Sequence, residues 1–127
     1  MRITIGLILG LERSPSMLAG DIIRVDFGVP RRSEAGLVHY AVVVTANNTL
    51  VAGPRTVQLV PLTTNAERNY PSDLPLETQL PVVSIAQCHL ITTIDLVARV
   101  DEVDYGNVGA QQLSQIRTLL GALLDID

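Results

Sequence analysis

Residues 20–28 read GDIIRVDFG, and the order of side chains within them decides the kind of fold this chain adopts. Ile23, Val25 and Phe27 alternate with Ile22, Arg24 and Asp26, a period of two that suits a strand with one buried face. The next stretch, VPRRSEAGL (29–37), gathers Pro, two Arg, Ser, Glu and Gly and reads as a long polar loop. HYAVVVTA (39–46) is a continuous β-branched run, as in a central strand. After a turn at 46–54, RTVQLVPLTT (55–64) reads as a third strand, and NAERNYPSDLP (65–75) as loop again. SIAQCHLITTI (84–94) and LVARVDEV (96–103) read as two further strands. In the tail, Leu113, Ile116, Leu119, Leu120, Leu123 and Leu124 recur at helical spacing. The expected fold is mainly β: about five to seven short strands in a curled sheet or small barrel, closed by one C-terminal amphipathic helix.

The composition agrees. The chain has 127 residues, 47% of them hydrophobic and 17% charged, which supplies the core of one domain and excludes wholesale disorder. The longest apolar run lies in the first eleven residues and is too short to span a bilayer. Residues 1–16 (MRITIGLILGLERSPS) differ in character from the rest of the chain and make a poor signal peptide, with one charge ahead of the apolar stretch and no clear cleavage pair. They read as an N-terminal extension, with the domain proper at 17–127. The one cysteine, Cys88, excludes an internal disulfide and a Cys-based zinc cluster, and fits a reducing cytoplasm. Two histidines, His39 and His89, argue against a His-rich metal site, so no metal and no cofactor is expected.

The net charge is −4, yet every base is an arginine, and the balance is uneven. Residues 1–68 hold seven arginines against five acids, and residues 69–127 hold two against eight. A protein that coats duplex DNA is normally basic overall, so that class is disfavoured. An arginine-lined groove that reads a few phosphates is not.

No phosphate-cradling GxxxxGK, no GxGxxG after a strand, no GxSxG and no HExxH is present. Cys88 and His89 are sequence neighbours, but on a strand they would face opposite ways, and Cys88 reads as a small buried hydrophobe. The DEVD run at 101–104 reads as solvated surface. The more informative set lies at strand ends. If the strands at 39–46 and 55–64 are antiparallel neighbours, His39 comes beside Thr63, Thr64 and Asn65, with Arg31, Arg32, Ser33 and Glu34 overhanging the same edge. An imidazole, hydroxyls, a carboxylate and guanidinium groups together can bind a phosphodiester and move protons. The plain alternative is a strand-end histidine and a trio of turn-capping residues.

In order and spacing, GDIIRVDFG, RRSEAGL, YAVVVT and VQLVPLTTN resemble the MazF/PemK family of toxins from toxin–antitoxin pairs, and SIAQCHLITTI and the leucine-rich tail fit the same pattern. The likeness covers about residues 18–126. It implies an SH3-like barrel, homodimeric and cytoplasmic, that cleaves single-stranded RNA at short sequences without a metal. It also implies a cognate antitoxin whose acidic, hydrophobic C-terminal tail lies in the RNA groove. Thr63 falls on the family's catalytic threonine, and Ser33 and Glu34 match its Ser-Glu.

The family's arginine is not matched: His39 stands in its place, with Tyr40 where proline is usual. An imidazole, titrating near ~6.5 as a residue type, shuttles protons better at neutral pH than a guanidinium. The resulting expectation is a catalytic set of His39, Thr63 and Glu34, with RNA held by Arg31, Arg32, Ser33, Thr64, Asn65 and Tyr40. Three other readings stay open: a catalytically altered relative in which loss of the arginine weakens the phosphate clamp, so that Arg32 must lean in or activity is lost; a toxin related to the CcdB family that blocks a protein target such as DNA gyrase; and a non-catalytic binding module.

Overall fold

A computed structural model describes residues 17–28, 37–65 and 70–126. The first two strands, β1 (Ile22–Asp26) and β2 (Val38–Val43), pair antiparallel, with Ile23 opposite Ala41 and Val25 opposite His39. The turn after β2 tightens into a single helical turn, α1 (Asn47–Leu50), and returns the chain as β3 (Thr56–Thr63). β2 and β3 are antiparallel neighbours through Ala41–Pro61, Val42–Val60 and Val43–Leu59.

β3 is the hub of the sheet. Its other edge carries β6 (Thr92–Asp95) along Thr56–Leu59 and β5 (Ser84–Gln87) at Leu62 and Thr63, and β4 (Asp73–Leu76) extends the sheet beyond β5. The outer edge of β1 is taken up by residues 99–108. Val25 bridges to Arg99 and Asp21 to Asn107, and the Val100 amide donates to the Arg24 carbonyl at 3.0 Å. Because β6 runs straight into that segment, the chain joins one edge of the sheet to the other and the sheet curls on itself. The helix α2 (Gly109–Leu124) closes it, placing Leu113, Ile116 and Leu120 in the common core.

That core accounts for the unbroken apolar runs. Ile23, Val25, Ala41 and Leu59 on one face, and Ile22, Val42 and Val60 on the other, are all buried. Strands covered on both sides need no polar alternation. Among the described residues no helix is long and apolar enough to cross a membrane. The N-terminal extension at 1–16 lies outside the described residues.

Three expectations are corrected. The stretch 84–94 is not one strand, because a 3₁₀ turn at Cys88–Leu90 divides it into β5 and β6. The register explains the break. Between Ala86 and Thr92 there are five residues, whereas their partners Leu62 and Leu59 are separated by two, so three must loop out. Pro61 falls in that gap and has no N–H to carry the ladder across it. The stretch 96–103 is no strand either: Leu96–Ala98 form a second 3₁₀ turn, capped by the Asp95 carboxylate on the Val97 amide at 2.9 Å. Finally, β4 lies within and just past the stretch read as loop. Its Pro75 is tolerated because β4 is an edge strand.

Candidate active site

The ladder between β2 and β3 stops at Ala41–Pro61. Two residues further along each strand stand His39 and Thr63, and strand alternation puts both on the face that Ala41 and Pro61 share. Beyond the last pair the strands have different partners: His39 is held by β1, opposite Val25, and Thr63 by β5, opposite Ile85. Among the described residues the two strand ends part here without pairing, an opening in the ladder with an imidazole on one side and a hydroxyl on the other. His39 is half-buried, its ring tilted against Phe27 with centroids 6.2 Å apart. Thr63 is half-buried too, and its Oγ1 accepts the Asn65 amide at 3.2 Å, which turns the chain sharply after β3. Thr64 and Asn65 are exposed on the turn.

Arg31, Arg32, Ser33 and Glu34 lie outside the described residues. The two ends of their loop are described, and they are tied at the same lip: the Leu37 amide donates to the Gly28 carbonyl, and the Phe27 amide donates to the Leu37 carbonyl at 2.8 Å. The chain therefore leaves and re-enters the sheet beside Phe27 and His39.

Tyr40, expected beside His39, is on the opposite face of β2. It stands across from Arg24, whose guanidinium carbon is 5.9 Å from the ring centre, and packs edge-on against Tyr105 at 5.1 Å. The Tyr105 hydroxyl donates to Asp101 Oδ2 at 2.8 Å, Arg24 Nη1 donates to the same oxygen at 3.2 Å, and the Val103 amide donates to Oδ1 at 3.2 Å. These donors, the Tyr105 hydroxyl first, hold the Asp101 carboxyl below its ordinary range, and burial pushes the Tyr105 phenol up. Asp101 is thus the anchor of a clamp on β1 rather than solvated surface.

The remaining chemistry-bearing groups are engaged elsewhere. Cys88 is fully buried, and burial, assisted by the charge of Asp73, pushes its thiol up to about 11. It is a core residue, as expected, though it reaches the core from a turn and not from a strand. His89 is exposed, with Nδ1 2.9 Å from Ser72 Oγ and its ring edge-on to Tyr70. Among the described residues no group of three His, Cys, Asp or Glu converges as a metal site would.

Two residues near the opening were not foreseen. Phe27 is the chain's one phenylalanine, and its place just past β1, in phase with Ile23 and Val25, is the signal that could have found it. Arg99 shares with Phe27 the lining of an open surface depression between Asp26–Gly28 and Val97–Val100. Nothing in the local sequence announces Arg99, because only its long-range pairing with Val25 places it there.

Solved structures share this fold. The chain is similar to MazF from Deinococcus radiodurans, at 23% identity and a TM-score of 0.74, over 89% of this chain and 100% of that one. It is similar to the MazE–MazF complex from the same organism, at 22% identity and a TM-score of 0.69, over 90% and 100% of the two chains. An endoribonuclease in complex with its cognate antitoxin, from Mycobacterial species, matches at 21% identity and a TM-score of 0.66, over 90% and 98%. No significant match was found among curated proteins. The family model of the PemK-like, MazF-like toxins matches residues 18–124, from the residue ahead of the first turn to the last residue of α2. With that whole span accounted for, the chain belongs to the PemK-like, MazF-like toxins of type II toxin–antitoxin systems.

Proposed function

We propose that this toxin is a metal-independent endoribonuclease that cuts single-stranded RNA, mRNA included, at short sequences in the cytoplasm. The observation that carries this reading is the opening between β2 and β3, where His39 and Thr63 share one face and no ladder bond fills the space between them. A phosphodiester entering there meets a base and a hydroxyl donor together. The His39 imidazole takes the proton of a ribose 2′-hydroxyl, the 2′-oxygen bonds to the adjacent phosphorus, and the bond from phosphorus to the 5′-oxygen breaks. The products are a 2′,3′-cyclic phosphate and a 5′-hydroxyl end, the latter protonated by the imidazolium just formed. The Thr63 hydroxyl donates to a non-bridging oxygen and steadies the charge that builds there. Glu34 orients the imidazole, and Arg31, Arg32, Ser33, Thr64 and Asn65 hold the flanking backbone. Tyr40 has no part in the groove, because its ring is committed to Tyr105 and Arg24 on the other face.

The proposal extends to assembly. The similar MazE–MazF complex and the mycobacterial endoribonuclease with its cognate antitoxin support an antitoxin partner for this chain. We place the antitoxin's acidic, hydrophobic C-terminal tail in the same opening, and a homodimer as the working unit, so that two openings form one continuous groove.

The test uses the purified chain, free of partner, incubated with a long single-stranded RNA in EDTA. Wild type is expected to give discrete cuts, and His39→Ala and Thr63→Ala to slow them by at least about a hundredfold, the usual worth of a positioned acid–base group. Cuts that survive in His39→Ala would move the proton chemistry to Arg31 or Arg32. No cutting by folded wild type would sink the reading and turn the search to a blocked protein target such as DNA gyrase, or to a binding module.

A further inference from the structure

We infer that Arg99 is a substrate-binding residue of this toxin: its guanidinium holds a phosphodiester of the RNA backbone next to the one at His39. The inference rests on the endoribonuclease reading and adds to it a contact from the far side of β1.

Three observations converge. The first is register. Val25 is opposed by His39 on one side and by Arg99 on the other, so the three residues form a single row across the sheet. Directly opposed residues in antiparallel pairs share a face with β-carbons about 5 Å apart, which puts His39 and Arg99 on one face with their β-carbons about 10 Å from each other. An arginine side chain covers most of that span. The second is an unused donor. The Arg99 side chain is 19% exposed, and its buried Nε has no hydrogen-bond partner among the described residues. A buried donor left unmade is costly, and it is rare in a settled structure. The third is room. An open surface depression has Arg99 and Ala98 on one side and Phe27 and Gly28 on the other, and the Phe27 ring is tilted against His39.

A polyanionic strand is served by a further cation beside those of Arg31 and Arg32. Phe27, Thr63, Thr64 and Asn65 bring no positive charge to the opening. Of the other described arginines, Arg24 pairs with Asp101, Arg117 donates to the Val44 carbonyl, and Arg55 pairs with Asp95 at the far end of β3 from Thr63. Among the described residues Arg99 has only Glu102, three residues on, at 3.4 Å from Nη1, and that carboxylate is 89% exposed. A solvated pair of this kind is weak, so an RNA phosphate displaces Glu102 from Nη1 at little cost. Asp26, an acid lining the depression, accepts the Gly28 amide at 2.8 Å.

The experiment measures binding of a 2′-O-methyl single-stranded RNA oligonucleotide, which cannot be cut, as a function of salt. The chains compared are wild type, Arg99→Gln and Glu102→Gln. Losing one phosphate contact on a single strand makes the slope of log affinity against log salt shallower by about 0.7, and that is the change expected for Arg99→Gln. Glu102→Gln, a change at an exposed position, is expected to tighten binding about threefold by removing the competing carboxylate. With cleavable RNA, Arg99→Gln is expected to raise KM far more than it lowers kcat. An unchanged slope in folded Arg99→Gln overturns the inference, and so does unchanged binding in Glu102→Gln, which decides the matter even if the first variant does not fold. Cleavage that persists with neither effect leaves the endoribonuclease reading standing and removes Arg99 from it. Failure of the wild-type chain to bind RNA at all overturns both.

Discussion

Leu37 sits where the loop from Gly28 rejoins the sheet, and its φ of 60° is in the left-handed region that L side chains with a bulky Cβ avoid. Its side chain is 62% exposed, so packing does not repay the strain. What holds it is backbone bonding on both sides, to the Gly28 carbonyl and the Phe27 amide. Such strain costs about 1 kcal/mol and is commonly stored beside a working site. Leu37→Gly keeps both backbone bonds and removes the strain. After the entropy that glycine adds to the unfolded chain, a net gain of roughly 0.5 kcal/mol is expected, read as a rise of about 2 °C in Tm. A fall in Tm would mean that the Leu37 side chain contributes packing after all. At this same scale, the shared face of His39 and Thr63 was legible because a short connection between two strands makes them antiparallel neighbours and fixes which residues lie near their ends. Arg99 was not, because its partner Val25 is remote in sequence, and no local pattern encodes that pairing.

At the scale of elements, β1, β2 and β3 could be read from alternation and β-branched runs, and α2 from its leucine spacing. The β5–β6 break could not. SIAQCHLITTI is apolar and β-rich throughout, and the three residues that must loop out are set by the partner strand rather than by their own composition. β4 was hidden for the opposite reason, since Pro and Asp mark a loop unless the strand lies at an edge. Residues 99–103 alternate as a strand would but make only an isolated bridge, and the segment 99–108 covers the outer edge of β1 largely through the Asp101 clamp. That clamp makes a pH prediction. Asp101 is held below its ordinary value by Tyr105, Val103 and Arg24, so its stabilising effect is fully present above the normal carboxylate range and is lost as the pH falls through the lowered folded value. Asp101→Asn is therefore expected to be less stable than wild type from pH 7 to about 5, with the gap narrowing below about pH 4. Denaturant titrations across that range measure it. A gap that stays constant into strong acid would show that Asp101 acts through shape and not through charge.

For the whole molecule, the consequence of a curled sheet buried on both faces is that its parts have little freedom to open singly. Cys88 lies where this is most easily tested. It is fully buried in the turn between β5 and β6, its amide donates to the Ser72 carbonyl at 3.2 Å, and it belongs to the same core cluster as Leu113, Ile116 and Leu120 of α2. Because the thiolate is the reactive form, a thiol pushed up to about 11 and shielded from solvent resists alkylation at pH 8 on both counts. Labelling then requires an opening that separates α2 from the sheet, and in a domain of this size such an opening is the global unfolding event. The expected result is that iodoacetamide labels the native chain at least about a thousandfold more slowly than the unfolded one, in line with an ordinary unfolding free energy of about 5 kcal/mol or more. The dependence of that rate on denaturant should follow the equilibrium unfolding curve. Fast labelling with a shallow dependence would instead locate a partial opening at the turn between β5 and β6. The β5 end that holds Thr63 would then move independently of the β1–β2 pair that holds His39, and the two lips of the opening would not be one rigid site.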